Sequence, residues 1–175
     1  SADEIAREVV APGSPALKKI VCTFGQSMLT SNGELDRHCL ASLVFSDTKA
    51  RRQLEEITHP PIWSVLNERI KEAQQKASLV VAEIPLYFEG GRFIPQAEVW
   101  VVYVDEATQL DRLMCRDGLS RGEAERRLNA QIPLGVKCAR ADRVIDNSRS
   151  KEETEAQVRK SLTTLVTYIA KKEDP

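Results

Sequence analysis

Two short segments of almost continuous apolar residues constrain the fold of this 175-residue chain more than any other feature. They are residues 79–84 (LVVAEI) and 99–104 (VWVVYV). Strands that are apolar at nearly every position, instead of at alternate positions, are typical of parallel sheets covered by helices on both faces. The shorter segment 143–146 (RVID) is a third candidate strand. The pattern predicts an α/β fold built on a parallel sheet.

Helical patterns alternate with these strands. Ala107, Leu110, Leu113 and Met114 recur at helical spacing after the second strand, and a similar stripe follows the third. Ser120 with Glu123, and Ser150 with Glu153, match the capping box that begins a helix. Strand alternating with helix is typical of βαβ units.

Before the first strand, apolar residues at helical spacing predict a run of three helices. The second of these should stop at Pro60 and Pro61, because proline lacks a backbone N–H and restricts the residue before it. Three consecutive helices without a strand indicate a helical lobe beside the sheet.

Composition narrows the classes of function. The 25 basic and 26 acidic residues give a net charge of −1, which argues against nucleic-acid or membrane-surface binding by the whole molecule. No apolar run reaches the roughly 20 residues that span a bilayer. The four cysteines are scattered and only two histidines are present, so we predict no metal site, reduced thiols and a cytoplasmic location.

Ligands of open α/β sheets bind beyond the carboxyl ends of the strands. The loop after the first strand, residues 85–91 (PLYFEGG), places a proline and two aromatics at such an end. One interpretation is a hydrophobic loop that packs on the helical lobe. The other is a wall of a pocket for an organic substrate.

The segment 112–143 carries eight cations interleaved with acidic residues. A solvated helical face with ion pairs four residues apart explains such a run. Alternatively, the arginines close over phosphates, as the mobile lids of nucleotide kinases do.

Eight short motifs, in order and over nearly the whole chain, resemble the dephospho-coenzyme A kinase family. They are ADEIARE at 2–8 followed by PG at 12–13, GELDR at 33–37, ITHP at 57–60, IPL at 84–86, FE at 88–89, RDGLS at 116–120, AQIP at 130–133 with Lys137, and ADRVIDNS at 141–148. Each motif alone is weak, but their joint order and spacing is specific.

The resemblance implies transfer of the γ-phosphoryl group of ATP, with Mg²⁺, to the ribose 3′-hydroxyl of dephospho-coenzyme A, the last step of coenzyme A synthesis. It implies that Asp3 is the general base, although an Asp there also suits a helix cap. Arg7 and His59 would bind the acceptor substrate; an ion pair for Arg7 and a structural role for His59 are the alternatives. The acceptor pocket would be walled by Pro85, Leu86 and Phe88.

On the ATP side, the resemblance assigns Arg116 and Arg140 to the phosphates and Asn147 to the adenine. It also implies a P-loop NTPase-like three-layer fold. Its core would be formed by 1–33, 78–105 and 141–175, with a helical substrate lobe at 34–77 and a lid at 106–140, in a monomer or weak homo-oligomer.

The family's first strand and its phosphate-binding G-x-x-x-x-G-K-[S/T] loop find no match in the printed sequence, and Ser1 replaces an Asp of the family motif. We expect about 30 further residues upstream in the native protein, and little or no activity without them. Two other functions remain open: a different P-loop kinase of small molecules or nucleotides, and a non-catalytic coenzyme A binding module.

Overall fold

The computed structural model describes residues 1–173, with the backbone alone for Phe45, Ser46 and 168–173. Residues 174–175 of the predicted core therefore lie outside the described part. The chain divides into two compact units, Ser1–Pro85 and Leu86–Pro175. In the described part, no helix is long and apolar enough to cross a membrane.

The first unit is helical. Its elements are α1 (Ala2–Val9), α2 (Pro15–Phe24), a 3₁₀ turn (Gln26–Met28), α3 (Arg37–Ser46) and α4 (Thr48–Gln74). Ser14, Asp36 and Asp47 cap α2, α3 and α4 by accepting backbone N–H groups of the first turn. The buried cluster of this unit is formed by Val10, Ala16, Ile20, Met28 and Leu40.

Helix α4 corrects one prediction. Pro60 and Pro61 lie inside it, so the lobe contains two helices where three were predicted. A proline costs a helix one hydrogen bond, but α4 packs against α1, α2 and α3, and Trp63 and Leu66 just beyond the prolines are buried. Tertiary packing on both sides of the prolines outweighs their local preference.

The structure of segment 79–84 differs from a second prediction. This segment was predicted to be a buried strand, but no described segment pairs with it in a sheet, and the Val81 side chain is 81% exposed. Its one backbone bond to a helix runs from the N–H of Ala2 to the carbonyl of Glu83, at 2.9 Å. An apolar segment is assigned as a strand only where a neighbour completes the ladder of hydrogen bonds.

The second unit contains the parallel sheet that the sequence predicted. Strands β1 (Trp100–Tyr103) and β2 (Arg143–Asp146) pair in parallel, with Val101 opposite Val144 and Val102 opposite Ile145. Between them come α5 (Glu106–Asp117), α6 (Arg121–Asn129) and α7 (Leu134–Ala139), and α8 (Lys151–Glu173) follows β2. Helix α7 packs on β1 and α8 on β2, which confirms the α/β class.

Both predicted capping boxes are present. Ser120 and Glu123 satisfy each other's backbone donors at the start of α6, and Ser150 and Glu153 do so before α8. The predicted apolar stripe at 107–114 lies on α5, and the first capping box marks the start of the next helix, α6.

Candidate active site

An arginine cleft opens beside the carboxyl end of β1. Its volume is about 590 Å³, and it begins at Val104, the residue directly after the strand. Such a place is where open α/β sheets bind ligands. Its lining comes from α5, α6 and the turn after α6: Gln109, Arg112, Leu113, Arg116, Arg127, Leu128 and Gln131. Arg112 and Arg116 of α5 and Arg127 of α6 bring three guanidinium groups to this cleft, and such groups recognise anions in proteins.

Asp117 organises two of these arginines. Arg116 donates two hydrogen bonds to its carboxylate, from Nε at 2.8 Å and Nη2 at 3.2 Å, and Nη1 of Arg127 donates a third at 2.7 Å. The hydrogen bond from Arg116 lowers the pKa of Asp117, against a smaller opposing effect of burial, and the charges of both arginines lower it further. Asp117 therefore stays ionised near neutral pH and fixes both cations.

The helix end at Asp117 depends on a glycine. Gly118 has φ of +65° and closes α5 in the left-handed conformation, which residues with a Cβ adopt at a cost. This turn directs the chain from α5 into the capping box of α6, so that the two helices pack together and share the cleft.

Polar residues gather at the carboxyl ends of both strands. Asp105 caps α5 by accepting from the Thr108 hydroxyl at 2.6 Å and from its N–H at 2.9 Å, and these bonds lower the pKa of Asp105. Asn147 follows β2 and donates its backbone N–H to the Tyr103 carbonyl at 2.7 Å, while its side-chain oxygen accepts from Thr154 at 3.1 Å. The Asn147 side chain is thus held at the sheet edge, and its amide nitrogen has no acceptor within the described part of the chain.

The loop after Pro85 is closed on itself by Tyr87. Its hydroxyl accepts the backbone N–H of Ile94 at 3.0 Å, and its ring contacts Phe88 and Phe93 edge-on, with centroids 5.5 and 5.7 Å away. Tyr87 is buried, whereas Phe88 is half-buried and Leu86 is 51% exposed. The loop therefore presents apolar side chains on a frame held by the tyrosine.

Glu89, the next residue in this loop, forms a buried ion pair. Its Oε1 accepts from Nζ of Lys137 at 2.6 Å and from the N–H of Ile132 at 3.0 Å. Burial alone would raise the pKa of Glu89, but the hydrogen bonds from Lys137 and the backbone, together with the lysine charge, bring the pKa below its ordinary value. Lys137 is only 7% exposed, so its ammonium is committed to this partner.

In the first unit, α1 presents Asp3 and Arg7 as exposed side chains one turn apart. Ser1 is the cap of α1, so the cap role considered for Asp3 is wrong. Among the described side chains neither has a hydrogen bond or an ion pair. Glu8 of the same helix does, since its carboxylate accepts from Arg69 of α4 at 2.5 and 3.2 Å. Both predicted functional groups are thus available to a ligand.

Among the described residues, the side chains of His59 and Arg140 form no hydrogen bond or ion pair. His59 is half-buried on α4, Pro85 and Arg140 are exposed, and Arg140 ends α7. Of the residues assigned to the ATP side, Arg116 lines the arginine cleft, whereas Arg140 and Asn147 do not.

The sequence had placed Arg112, Arg127 and Lys137 in a run of cations with a possible phosphate-binding role, and Asp117, Glu89 and Lys137 in family motifs, but it assigned none of the five an individual role. The cleft face of α5 was readable: Gln109, Arg112 and Arg116 lie at i, i+3 and i+7, on one side of a helix. The pairing of Glu89 with Lys137 joins residues far apart in the chain and had no local signal.

In the part of the chain that is described, no three His, Cys, Asp or Glu side chains come together in a way that could hold a metal ion. All four cysteines are free thiols.

Comparison with known proteins bears on the family of this chain. The family model described as dephospho-CoA kinase matches residues 1–153. A dephospho-CoA kinase of Shouchella clausii is 48% identical over 158 residues, covering 90% of this chain and 80% of that protein. One from Geobacter sulfurreducens is 46% identical with the same coverage.

Solved structures give the same answer for the fold. The structure of TT1252 from Thermus thermophilus superposes with a TM-score of 0.73 at 33% identity, covering 94% of this chain and 82% of that one. The dephospho-CoA kinase from Campylobacter jejuni gives 0.66 at 31% identity, covering 98% and 84%. By sequence and by fold, this chain belongs to the dephospho-CoA kinase family.

Proposed function

We propose that the arginine cleft of this chain holds the phosphates of ATP during the reaction of its family. Dephospho-CoA kinases are transferases that move the γ-phosphoryl group of ATP to the ribose 3′-hydroxyl of dephospho-coenzyme A, the final step of coenzyme A biosynthesis. The observation that carries the assignment is the position of Arg112, Arg116 and Arg127 in one cleft beside the carboxyl end of β1. Guanidinium groups stabilise the charge that spreads over the phosphoryl oxygens in the transition state.

For the acceptor side we propose Asp3 as the general base. Its carboxylate is exposed at the start of α1 and has no partner among the described residues, so it is open to hydrogen-bond a substrate hydroxyl. Arg7, one turn further along the same helix, would bind a phosphate of dephospho-coenzyme A. His59 would donate or accept a hydrogen bond to the same substrate.

The remaining predicted residues complete the two sides. Pro85, Leu86 and Phe88 would form an apolar wall for the acceptor, since the loop displays them on the Tyr87 frame. Arg140 would contact ATP phosphates, and the free amide nitrogen of Asn147 would hydrogen-bond the adenine. In this scheme 106–140 is the lid, 34–77 is the substrate lobe, and the enzyme is a cytoplasmic monomer or weak homo-oligomer.

Mg²⁺ enters this scheme as part of the Mg·ATP substrate. The described residues form no carboxylate cage for a resident ion, and Mg²⁺ at kinase sites is held mainly by the nucleotide phosphates with one or two carboxylates. The ion would neutralise phosphate charge, and the residues of this chain would bind and orient the two substrates.

The test is a coupled ADP-release assay on the full-length gene product. Dephospho-coenzyme A should be phosphorylated and AMP, CMP and shikimate should not. Asp3→Asn should lower kcat about 10²- to 10⁴-fold, the usual contribution of general base catalysis. Glu4→Gln, an exposed acid on the same turn of α1, is the matched control and should keep the wild-type rate.

Arg116→Lys tests the ATP assignment. It keeps the charge but loses the planar fork, so KM for ATP should rise about 10-fold with little change in KM for dephospho-coenzyme A. Arg149→Lys, in a surface pair with Glu153, is the control. Wild-type kinetics in Asp3→Asn would remove Asp3 from the mechanism, and unchanged ATP kinetics in Arg116→Lys would move ATP away from the arginine cleft.

A further inference from the structure

Formation of the Glu89–Lys137 pair carries a cost in desolvation free energy. Lys137 is more than nine-tenths buried, and Oε2 of Glu89 is buried without any hydrogen-bond partner within the described residues. Removing charges from water is repaid only when every lone pair and proton is satisfied, and here one carboxylate oxygen is not. A buried pair of this kind is weak evidence for added stability, and holding a segment in position is another role that such a pair can serve.

The pair connects two segments with different proposed duties. Glu89 follows Phe88 in the loop assigned to the acceptor wall, and Lys137 lies on α7, at the end of the segment assigned to the lid. The same Glu89 oxygen also accepts the N–H of Ile132, in the turn that leads into α7. One carboxylate oxygen therefore holds the loop against two points of the lid segment.

Neighbouring contacts hold both ends of the Glu89–Lys137 link in place. Helix α7 packs on β1, and Tyr87 closes the loop two residues before Glu89. Gln131, the neighbour of Ile132, lines the arginine cleft. A shift of Ile132 therefore moves a wall of the cleft, while a shift of Glu89 moves Phe88.

We propose that Glu89 and Lys137 are positioning residues that join the loop carrying Leu86 and Phe88 to the ATP-binding segment, so that this part of the acceptor wall is fixed relative to the arginine cleft. This inference rests on the proposed function. In this proposal neither residue contacts a substrate: the Lys137 ammonium is paired with the Glu89 carboxylate, and Glu89 acts through its neighbour Phe88 and through Ile132. A displacement of about 1 Å from the reactive geometry can cost about 10²-fold in rate. Loss of the link should therefore affect the kinetics with both substrates.

The test uses Lys137→Met, which keeps the length of the side chain and removes the charge, in the full-length enzyme. We expect KM for ATP and for dephospho-coenzyme A each to rise about 10-fold, and hydrogen exchange at the Ile132 amide to accelerate at least 10-fold. Lys137→Arg should restore part of both effects. Lys151→Met, which breaks the surface pair with Glu155 at 3.8 Å, is the control and should change neither.

A cycle with Glu89→Gln and the double variant completes the experiment, with all assays well below each variant's unfolding temperature. If the residues act as one unit, the double variant is no worse than the worse single variant. Unchanged KM values in folded Lys137→Met, or effects that add, would overturn the positioning role even if its thermal stability fell. Should the wild type fail to phosphorylate dephospho-coenzyme A, the proposed function fails instead; the Ile132 exchange rate still reports whether the contact holds the loop.

Discussion

Asp117 accepts a hydrogen bond from Arg127 at 2.7 Å, so the residue that ends α5 is tied to the last turn of α6. Because Asp117 also binds Arg116, it sets the separation of two of the cleft's three cations. The like charges of these arginines repel each other, and the Asp117 carboxylate between two of them reduces that repulsion.

Asp117→Asn should therefore loosen both arginines without removing either. We expect KM for ATP to rise about 3- to 10-fold and kcat to change less, because the cations remain present but are no longer oriented. Asp111→Asn, an exposed acid on the same helix, is the matched control. Steady-state kinetics with ATP varied is the measurement, and equal kinetics for both variants would contradict the organising role of Asp117.

Replacing Gly118, in the turn after Asp117, and Gly135, in α7, by Ala should change the free energy of unfolding in opposite directions. Gly118→Ala places a Cβ at φ of +65° and should destabilise the chain by about 1 kcal/mol, although nothing lies within 4 Å of the added atom. Gly135→Ala, in α7, also meets open space and has no positive φ, so it should stabilise by up to about 1 kcal/mol. Thermal unfolding of the two variants measures the difference, and the same sign for both would be inconsistent with a left-handed cap at Gly118.

The core of the first unit can be tested at Ile20, which is fully buried. Ile20→Val should cost about 1 kcal/mol and Ile20→Ala about 2–5 kcal/mol, because the second also leaves a cavity. Val81→Ala, at an exposed position, should change the free energy of unfolding by less than about 0.5 kcal/mol. Urea titration compares them, and a loss at Val81 equal to that at Ile20 would mean that residues 79–84 are buried.

Locally determined features were predictable from the sequence. The strand at 143–146 and both capping boxes were placed correctly, because short-range hydrogen bonds and apolar runs decide them. The course of α4 through Pro60 and Pro61 was not, since packing against three other helices decides it. The same holds for 79–84, whose apolar pattern cannot say which segment would pair with it.

The candidate site also contains residues that the sequence predicted and residues that only the packing of helices reveals. Arg116 was chosen through the family resemblance and does line the cleft. Its neighbour Arg127 and its anchor Asp117 emerge only when α5 and α6 are packed together. The roles of Asp3, Arg7 and His59 stay predictions, because among the described residues their side chains form no hydrogen bond or ion pair that would reveal a role.

Acid should destabilise the fold through Glu89 and other carboxylates whose pKa is lowered. Hydrogen bonds to the ionised form lower the pKa of Asp105, Asp117 and Asp146 in the same direction as that of Glu89. A group with a lowered pKa in the folded state contributes stability above its unfolded pKa, which is 4.5 for Glu and 3.8 for Asp. That contribution disappears as the pH falls through the folded pKa.

The unfolding temperature should therefore be nearly flat between about pH 5 and 7 and fall progressively below about 4.5. Glu89→Gln removes one of these groups, so its unfolding temperature should be lower at pH 7 and should approach that of the wild type as the pH drops. Glu155→Gln, in the exposed pair with Lys151, should follow the wild-type curve throughout. Calorimetry from pH 3 to 7 makes the comparison. If Lys137 and Ile132 stabilise the ionised form of Glu89, protonation of the wild-type carboxyl must close the difference in unfolding temperature between Glu89→Gln and the wild type. A difference that stayed constant down to pH 3 would contradict this.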